Sequence, residues 1–123
     1  MEAAGIQLDT GLCFPYESGL KNNYPFPFHP FVNNVKLNLL VMPMIMMDTA
    51  YDKYSSAEKI LSDFIALTSR WKNGFCVSIL FHNNYLTAGA NHSFLKAYEE
   101  ILAYCNENEI QFTSCKDVVN QFN

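Results

Sequence analysis

Three polar residues stand where predicted strands end, and their types suit proton transfer. Asp9 follows a short apolar stretch, Asp48 ends the run 36–47, and His82 directly follows the run 75–81. In parallel α/β proteins, functional side chains collect at the carboxyl ends of the strands. Because histidine exchanges a proton near neutral pH, His82 is the candidate general acid. The same position also suits a histidine that only caps a buried strand, and the sequence leaves both interpretations open.

The remaining histidines and the cysteines show no metal-binding pattern. His29 is flanked by prolines in a loop, His92 lies at the start of a predicted helix, and no two histidines are four residues apart. A helical metal pair needs that spacing. The four cysteines form no C-x-x-C pair, so Cys76 and Cys105 are expected to be small buried side chains. The sequence therefore predicts no metal ligands in this chain.

Composition narrows the class of protein. The chain has 123 residues, of which 50% are hydrophobic and 16% charged, which is typical of one folded domain. A net charge of −4 without any Lys/Arg run argues against a nucleic-acid partner. The longest apolar run, 39–47, is too short to span a membrane. The first residues lack the features of a signal peptide, so a cytoplasmic protein is the default expectation.

The elements that must position these residues alternate along the chain. A capping box at Ser55 and Glu58 predicts the start of a helix, and Gly74 predicts its end. Ser114 and Asp117 are expected to cap a last short helix. Strands are predicted at 6–8, 36–47, 75–81 and 110–112, a second helix at 93–107, and an aromatic-rich loop at 9–31. The alternation predicts an α/β fold with a parallel sheet.

Six short motifs follow one another in a characteristic order. They are Asp9-Thr10-Gly11-Leu12, Gly19-Leu20-Lys21, Pro25-Phe26, His29-Pro30-Phe31, Met47-Asp48-Thr49 and Ser78-Ile79-Leu80-Phe81-His82-Asn83. Together they resemble the C-terminal half of the polysaccharide deacetylase family, the metal-dependent carbohydrate esterases, in a Bacteroidetes-like branch. The resemblance covers residues 1–123 as a single partial domain. It implies part of a distorted (β/α) barrel, roughly its last three to four βα units.

The resemblance also implies roles for individual residues. The family's late Leu-x-His motif carries a general acid, and Leu80-Phe81-His82 matches it. Asp48 corresponds to the acidic residue that orients this histidine. Lys21 stands where a groove-forming motif usually has Arg, and a lysine cannot form the same bidentate pair with a carboxylate. The residues that the resemblance places near substrate are Lys21, Tyr24, Phe26, His29 and Asn83.

One half of the family's site has no counterpart in this sequence. Family members hydrolyse N-acetyl groups on carbohydrates with a divalent metal, commonly zinc, held by an Asp and two His. The Asp-Asp pair and the His-x-x-x-His segment that supply the base and the ligands are absent from the chain. The resemblance therefore implies the acid side of the site without the metal side. We expect no activity from the chain alone, and a missing N-terminal half or self-association to complete it.

Two other functions fit the same sequence. The loop aromatics could stack on sugar rings without catalysis, with asparagines such as Asn22 and Asn83 as hydrogen-bonding partners, or could form a lid over the core. Alternatively, the chain is a truncated remnant without a function of its own. An enzyme built on Cys13 or Cys76 with a histidine has no sequence context that would activate the thiol. The partner expected for the deacetylase half-domain and for the non-catalytic binding module is an N-acetylated oligo- or polysaccharide.

Overall fold

The computed structural model describes residues 2–52, 54–87 and 92–122 of the chain. These residues form a mixed α/β fold with three short 3-10 turns. The elements are β1 (Leu8–Leu12), β2 (Phe31–Val32), β3 (Val35–Lys36), β4 (Leu40–Met47), α1 (Ala57–Thr68), β5 (Ser78–Leu80), α2 (His92–Glu107) and α3 (Cys115–Phe122), and the 3-10 turns are Glu2–Ala4, Asp48–Ala50 and Asn83–Tyr85. None of the described helices is long and apolar enough to cross a membrane.

Three parallel strands form the main sheet, in the order β1–β4–β5. Leu8 of β1 lies beside Leu40 of β4, and Ser78 of β5 lies beside Met44 on the other edge. Because β4 is central and covered on both faces, every residue from Leu40 to Met46 is buried. The predicted parallel α/β sheet is confirmed. These strands do not show a barrel, so the partial barrel stays a prediction.

Helices α1 and α2 pack together over the sheet. Ile60 and Phe64 lie four residues apart on the buried stripe of α1, as the sequence pattern predicts. On α2, Ile101 is fully buried in the same core. The cluster formed by these elements consists of Ile45, Met46, Ala57, Ile60, Phe64, Phe94, Ala97, Ile101 and Cys105. It lies against the carboxyl half of β4, next to the end of the strand where Asp48 follows.

The last helix closes the amino half of the sheet. Val118 of α3 packs on Leu40 and Met42 of β4 in a second, smaller cluster. The hydroxyl of Ser114 accepts the backbone N–H of Asp117 at 3.1 Å and donates to its carboxylate at 2.6 Å. This reciprocal arrangement satisfies a free donor of the first helical turn. The predicted capping by Ser114 and Asp117 is confirmed.

A two-stranded hairpin, β2–β3, stands apart from the main sheet. Its turn is Asn33-Asn34, whose φ angles of 49° and 64° suit the turn that matches the twist of two antiparallel strands. Phe31, Val32 and Val35 of this hairpin are exposed. The sequence pattern does not predict this hairpin, because it places Phe31 at the end of the predicted loop 9–31.

Several predicted boundaries are wrong for identifiable reasons. The first strand begins at Leu8 rather than at residue 6, so Asp9 lies inside β1, paired with Val41, and not at a strand end. The helix cap is Ser56 rather than Ser55, because the Ser56 hydroxyl accepts the N–H of Lys59. The cap residue directly precedes the helix, so the capping box at Ser55 and Glu58 predicts a start that is one residue too early.

Helix α1 also ends before the predicted position. Thr68 is its last residue, and Gly74 instead closes a later turn through its N–H bond to the carbonyl of Trp71. The hydroxyls of Thr68 and Ser69 donate to helix carbonyls at 2.9 and 3.3 Å, which favours a helix end at these residues. The strand predicted at 75–81 is confirmed only over Ser78–Leu80.

The strand predicted at 110–112 does not form. Glu109 adopts a left-handed φ of 57°, and the N–H of Ile110 donates back to the carbonyl of Cys105 at 2.9 Å. These features are typical of a helix C-terminal cap. The segment therefore ends α2 and leads into α3, and Phe112 is exposed. A short apolar run between two helices is ambiguous in sequence, because it also suits a connecting loop.

Candidate functional site

The carboxyl edge of the sheet brings Asp48 and His82 together. Asp48 directly follows β4, and His82 lies two residues after β5, whose Leu80 is in register with Met47. Oδ1 of Asp48 lies 2.7 Å from Nδ1 of His82. Oδ2 of Asp48 accepts the backbone N–H of His82. The carboxylate therefore binds both the ring and the main chain of one histidine.

Burial differs sharply between the two partners. The Asp48 side chain is 0% exposed, whereas the His82 side chain is 44% exposed. An ionised carboxylate only accepts hydrogen bonds, so Nδ1 of His82 is the donor. That bond favours the tautomer with the proton on Nδ1, which leaves Nε2 to exchange a proton with a reactant. A buried carboxylate that orients a half-exposed imidazole is an arrangement suited to general acid–base catalysis.

A short turn directly after His82 also contacts this residue. The N–H of Tyr85 donates to the carbonyl of His82 at 3.0 Å, which closes the turn Asn83–Tyr85. The rings of His82 and Tyr85 are 6.3 Å apart and nearly perpendicular, at 73°. Tyr85 packs in turn on Phe94 of α2, at 5.2 Å between ring centroids. Asn83 is exposed directly after His82, so its amide is available to a ligand at this site.

The segment 13–20 lies along the same end of β4. The hydroxyl of Thr49 donates to the carbonyl of Pro15 at 2.8 Å, and the N–H of Gly19 donates to the carbonyl of Ile45 at 2.7 Å. These bonds place the segment beside the strand end that leads into Asp48. Lys21, just beyond it, is exposed, and its Nζ lies 5.8 Å from the centroid of the Phe14 ring. The cation of Lys21 thus lies over an aromatic ring.

The aromatic part of the loop lies toward the other end of the sheet. Tyr24 packs against Phe26 at 5.8 Å and against Phe28 at 6.4 Å. Phe28 forms an antiparallel bridge with Val41. Val41 precedes Met47 by six residues, which is about 20 Å along a strand. The structure therefore does not place Tyr24 and Phe26 with the dyad of Asp48 and His82.

His29 is tied to the loop that contains it. Its Nδ1 lies 3.0 Å from the carbonyl oxygen of Leu37, and the N–H of Leu37 donates to the carbonyl of Pro30 at 2.9 Å. The residue follows Phe28, which lies beside Val41 near the amino end of β4. His29 thus joins the aromatic loop rather than the carboxyl-edge site, and its observed contact is with the backbone.

The described residues do not fit the divalent-metal site that the resemblance implies. Across 2–52, 54–87 and 92–122, no three side chains among His, Cys, Asp and Glu are grouped so that they could hold a metal ion. Both oxygens of the Asp48 carboxylate contact His82. His29 bonds the Leu37 carbonyl. The side chain of His92 lies outside the described residues.

The cysteines do not supply a nucleophile at the dyad. All four are free, with Cys105 buried and Cys115 exposed. Burial raises the pKa of the Cys76 and Cys105 thiols above the ordinary value. A raised pKa disfavours the thiolate, which is the reactive form. The prediction that Cys105 is buried is confirmed, whereas Cys76 is half-buried beside the smaller core cluster.

Two tyrosines near the site were missed from the sequence. Tyr85 has a signal that reasoning could have used, because an aromatic residue three positions after a strand-end histidine lies beside it if the chain makes a turn. Tyr51 has no such signal. Its hydroxyl lies 3.2 Å from Oδ2 of Asp63 and 3.4 Å from Oγ of Ser18. These contacts connect α1 to the segment 13–20 beside the dyad, through residues distant in sequence.

Tyr51→Phe is expected to flatten the alkaline loss of stability. Burial is the main reason that the pKa of Tyr51 is raised from 10.0 to about 12, and the Asp63 carboxylate adds to it. The folded state therefore keeps this proton at pH values where the unfolded state has lost it. The contribution is full below pH 10 and disappears as the pH rises to about 12. Urea unfolding of wild type and variant across this range measures the difference.

The matched control for that experiment is Tyr16→Phe, since Tyr16 is 80% exposed. Its hydroxyl faces water in both states, so the free energy of unfolding should fall with pH as steeply as in wild type. Equal slopes for Tyr51→Phe and wild type above pH 10 would contradict the role given to burial.

No family model, no curated protein and no solved structure matches this chain. The resemblance to polysaccharide deacetylases therefore stays a prediction.

Proposed function

We propose that the chain is a polysaccharide deacetylase-like half-domain in which Asp48 and His82 form the proton-transfer dyad. The observation that supports this is the buried Asp48 carboxylate, which binds both Nδ1 and the backbone N–H of His82. The resemblance to the family assigns the same two residues to the acid side of the site. The contact in the structure and the resemblance thus support the same pair of residues.

The dyad supplies the proton that amide hydrolysis needs. In the hydrolysis of an N-acetyl group, water adds to the carbonyl carbon of the acetyl group and forms a C–O bond. The C–N bond then breaks, which gives acetate and an amine. The nitrogen leaves readily only when it is protonated. Nε2 of His82 donates that proton, and the Asp48 carboxylate stabilises the imidazolium beforehand. The family motifs that hold the metal and the base have no counterpart in this sequence, so this proposal assigns the activation of water to another polypeptide segment or to a second copy.

The residues that follow His82 in the chain support a carbohydrate substrate. Asn83 is exposed and directly follows His82, whose ring is half-exposed. A side-chain amide both donates and accepts hydrogen bonds, as the hydroxyl and acetamido groups of sugars require. Tyr85 adds an aromatic surface at the same place. An N-acetylated oligosaccharide fits this set of groups, and the site as a whole stays a half-site.

Non-catalytic carbohydrate binding remains the second candidate, at a different location. Tyr24 is 49% exposed and packs on the rings of Phe26 and Phe28. An exposed aromatic ring that is held in place by its neighbours can stack on a sugar face. This surface lies near Val41, toward the amino end of β4. The two candidates can therefore be separated by location.

Titration with N-acetylglucosamine oligomers, followed by amide NMR, distinguishes them. The proposed function predicts shifts at His82, Asn83 and Tyr85. Shifts confined to residues 24–28 would instead support a binding module, and no shift anywhere would favour a remnant without function. Asn83→Ala should weaken the response at the dyad. Asn120→Ala, at an exposed asparagine of α3, is the matched control and should not weaken it.

Acetate release in the presence of zinc tests the half-site directly. The chain alone is expected to release no acetate from these oligomers above the buffer rate, because the described residues form no metal-binding group. Calorimetry with zinc should likewise show no stoichiometric binding. Tight zinc binding together with turnover would mean that this chain holds its own metal side, and would overturn the half-domain proposal.

A further inference from the structure

Tyr85 is held more firmly than a residue in a surface turn needs to be. Its ring packs on Phe94, which is 2% exposed and belongs to the main core cluster. Its N–H is bonded to the carbonyl of His82. The core therefore holds the ring of Tyr85, and the turn holds its backbone. The centroid of this ring lies 6.3 Å from that of the His82 imidazole.

Asp48 alone does not determine the orientation of the imidazole. Of its two bonds to His82, one goes to the backbone N–H and only one reaches the ring, at Nδ1. A single bond to a planar ring with 44% of its side chain exposed leaves rotation about the Cβ–Cγ bond opposed by that bond alone. A second contact on the ring is needed to hold Nε2 in one direction, and the Tyr85 ring supplies one.

We propose that Tyr85 is the positioning residue of the dyad, holding the His82 imidazole in the orientation in which Nδ1 meets Asp48 and Nε2 faces the substrate. Perpendicular aromatic pairs with centroids at this separation attract each other. The contact is made by the ring, and the hydroxyl of Tyr85 takes no part in it. Phenylalanine should therefore replace Tyr85, whereas an aliphatic side chain should not. The link to substrate rests on the proposed function, but the positioning is a property of the folded chain itself.

Nitrogen-15 NMR of the His82 ring tests the proposal without any substrate. In wild type and in Tyr85→Phe, at a pH where the ring is neutral, we expect Nδ1 to carry the proton and Nε2 to be bare. In Tyr85→Leu, the preference for this state over the alternatives should fall about two- to tenfold, the range that corresponds to losing one aromatic pair. The nitrogen shifts would then move toward their average.

Tyr98→Leu is the matched control. It removes a half-buried tyrosine ring that packs on Phe81, next to His82 in sequence, at 5.4 Å. This variant should leave the His82 nitrogen shifts as in wild type. Far-UV circular dichroism and the amide spectrum of α1 identify any variant that fails to fold, and Tyr85→Phe keeps the test available in that case. Unchanged nitrogen shifts in a folded Tyr85→Leu variant, or a loss of the tautomer in Tyr85→Phe, would overturn the proposal.

The outcomes separate this inference from the proposed function. Suppose that oligosaccharides shift no amide signal, whereas Tyr85→Leu moves the His82 nitrogen shifts as expected. This result would contradict the carbohydrate site and support the positioning role. Oligosaccharide shifts at His82 and Asn83, together with unchanged His82 nitrogen shifts in Tyr85→Leu, would support the carbohydrate site and contradict the positioning role. In the positive case, Tyr85→Leu should also reduce the oligosaccharide shifts at His82, and Tyr98→Leu should not.

Discussion

His82→Ala is expected to cost about 2–4 kcal/mol of folding free energy at neutral pH. The reason is the Asp48 carboxylate, whose side chain is 0% exposed and whose Oδ1 binds the His82 ring. Removing the ring leaves that oxygen buried without its partner, while Oδ2 keeps the backbone N–H of residue 82. A buried charge that loses a hydrogen-bonding partner is costly, and the ring itself contributes little burial. Urea unfolding of wild type and variant measures the loss.

Asp48→Asn in the same background provides the decisive comparison. If the cost comes from an uncompensated carboxylate, neutralising it should restore part of the stability, so the double variant should be more stable than His82→Ala alone. His29→Ala is the matched histidine control, since Nδ1 of His29 contacts only a backbone carbonyl and its loss should cost about 1 kcal/mol. A double variant that is less stable than His82→Ala would contradict this account of the dyad.

Phe94→Ala is expected to destabilise the fold by about 3–5 kcal/mol. Phe94 is 2% exposed in the cluster that joins α1 and α2 to β4, and truncation to Ala leaves a cavity that the neighbouring side chains fill only in part. The loss would be a large share of the total stability of a domain of this size, roughly 5–15 kcal/mol. The midpoint of urea denaturation should fall accordingly.

Phe112→Ala makes the same chemical change at a residue that is 66% exposed. Its expected effect is within about 0.5 kcal/mol, as for surface substitutions in general. Similar losses in the two variants would show that the packing around Phe94 is not tight. Because the Tyr85 ring packs on Phe94, Phe94→Ala should also disturb the His82 nitrogen shifts, which Phe112→Ala should leave unchanged.

The pairing of Asp48 with His82 follows from information that the sequence contains. Each residue comes directly after a nearly continuous apolar run, and two parallel strands that are neighbours in a sheet present their carboxyl ends at one edge. Only the adjacency of β4 and β5 had to be assumed, and strands joined through one helix are commonly adjacent. Hydrophobic periodicity similarly locates the buried faces of α1 and α2.

The position of the aromatic loop had no comparable signal. Residues 13–31 contain no periodic apolar pattern, so nothing in their order tells which end of β4 they contact. In the structure the loop passes from one end to the other, with Pro15 beside Thr49 and Phe28 beside Val41. The resemblance predicts that Tyr24, Phe26 and His29 contact substrate, and in the structure these residues lie toward the amino end of β4, away from the dyad. Such crossings are determined by individual long-range backbone bonds.

The parallel topology has a consequence for how the molecule reaches its folded state. The backbone and ring bonds between Asp48 and His82 join residues 34 positions apart, and β1 reaches β4 only across the long segment 13–39. Closing such loops costs entropy before any contact repays it, which slows folding in topologies rich in distant pairings. The contact between Asp48 and His82 is thus absent from any partly folded form that has only local helices. This contact forms only together with the central sheet, because β4 and β5 must pair before their carboxyl ends bring the two residues together.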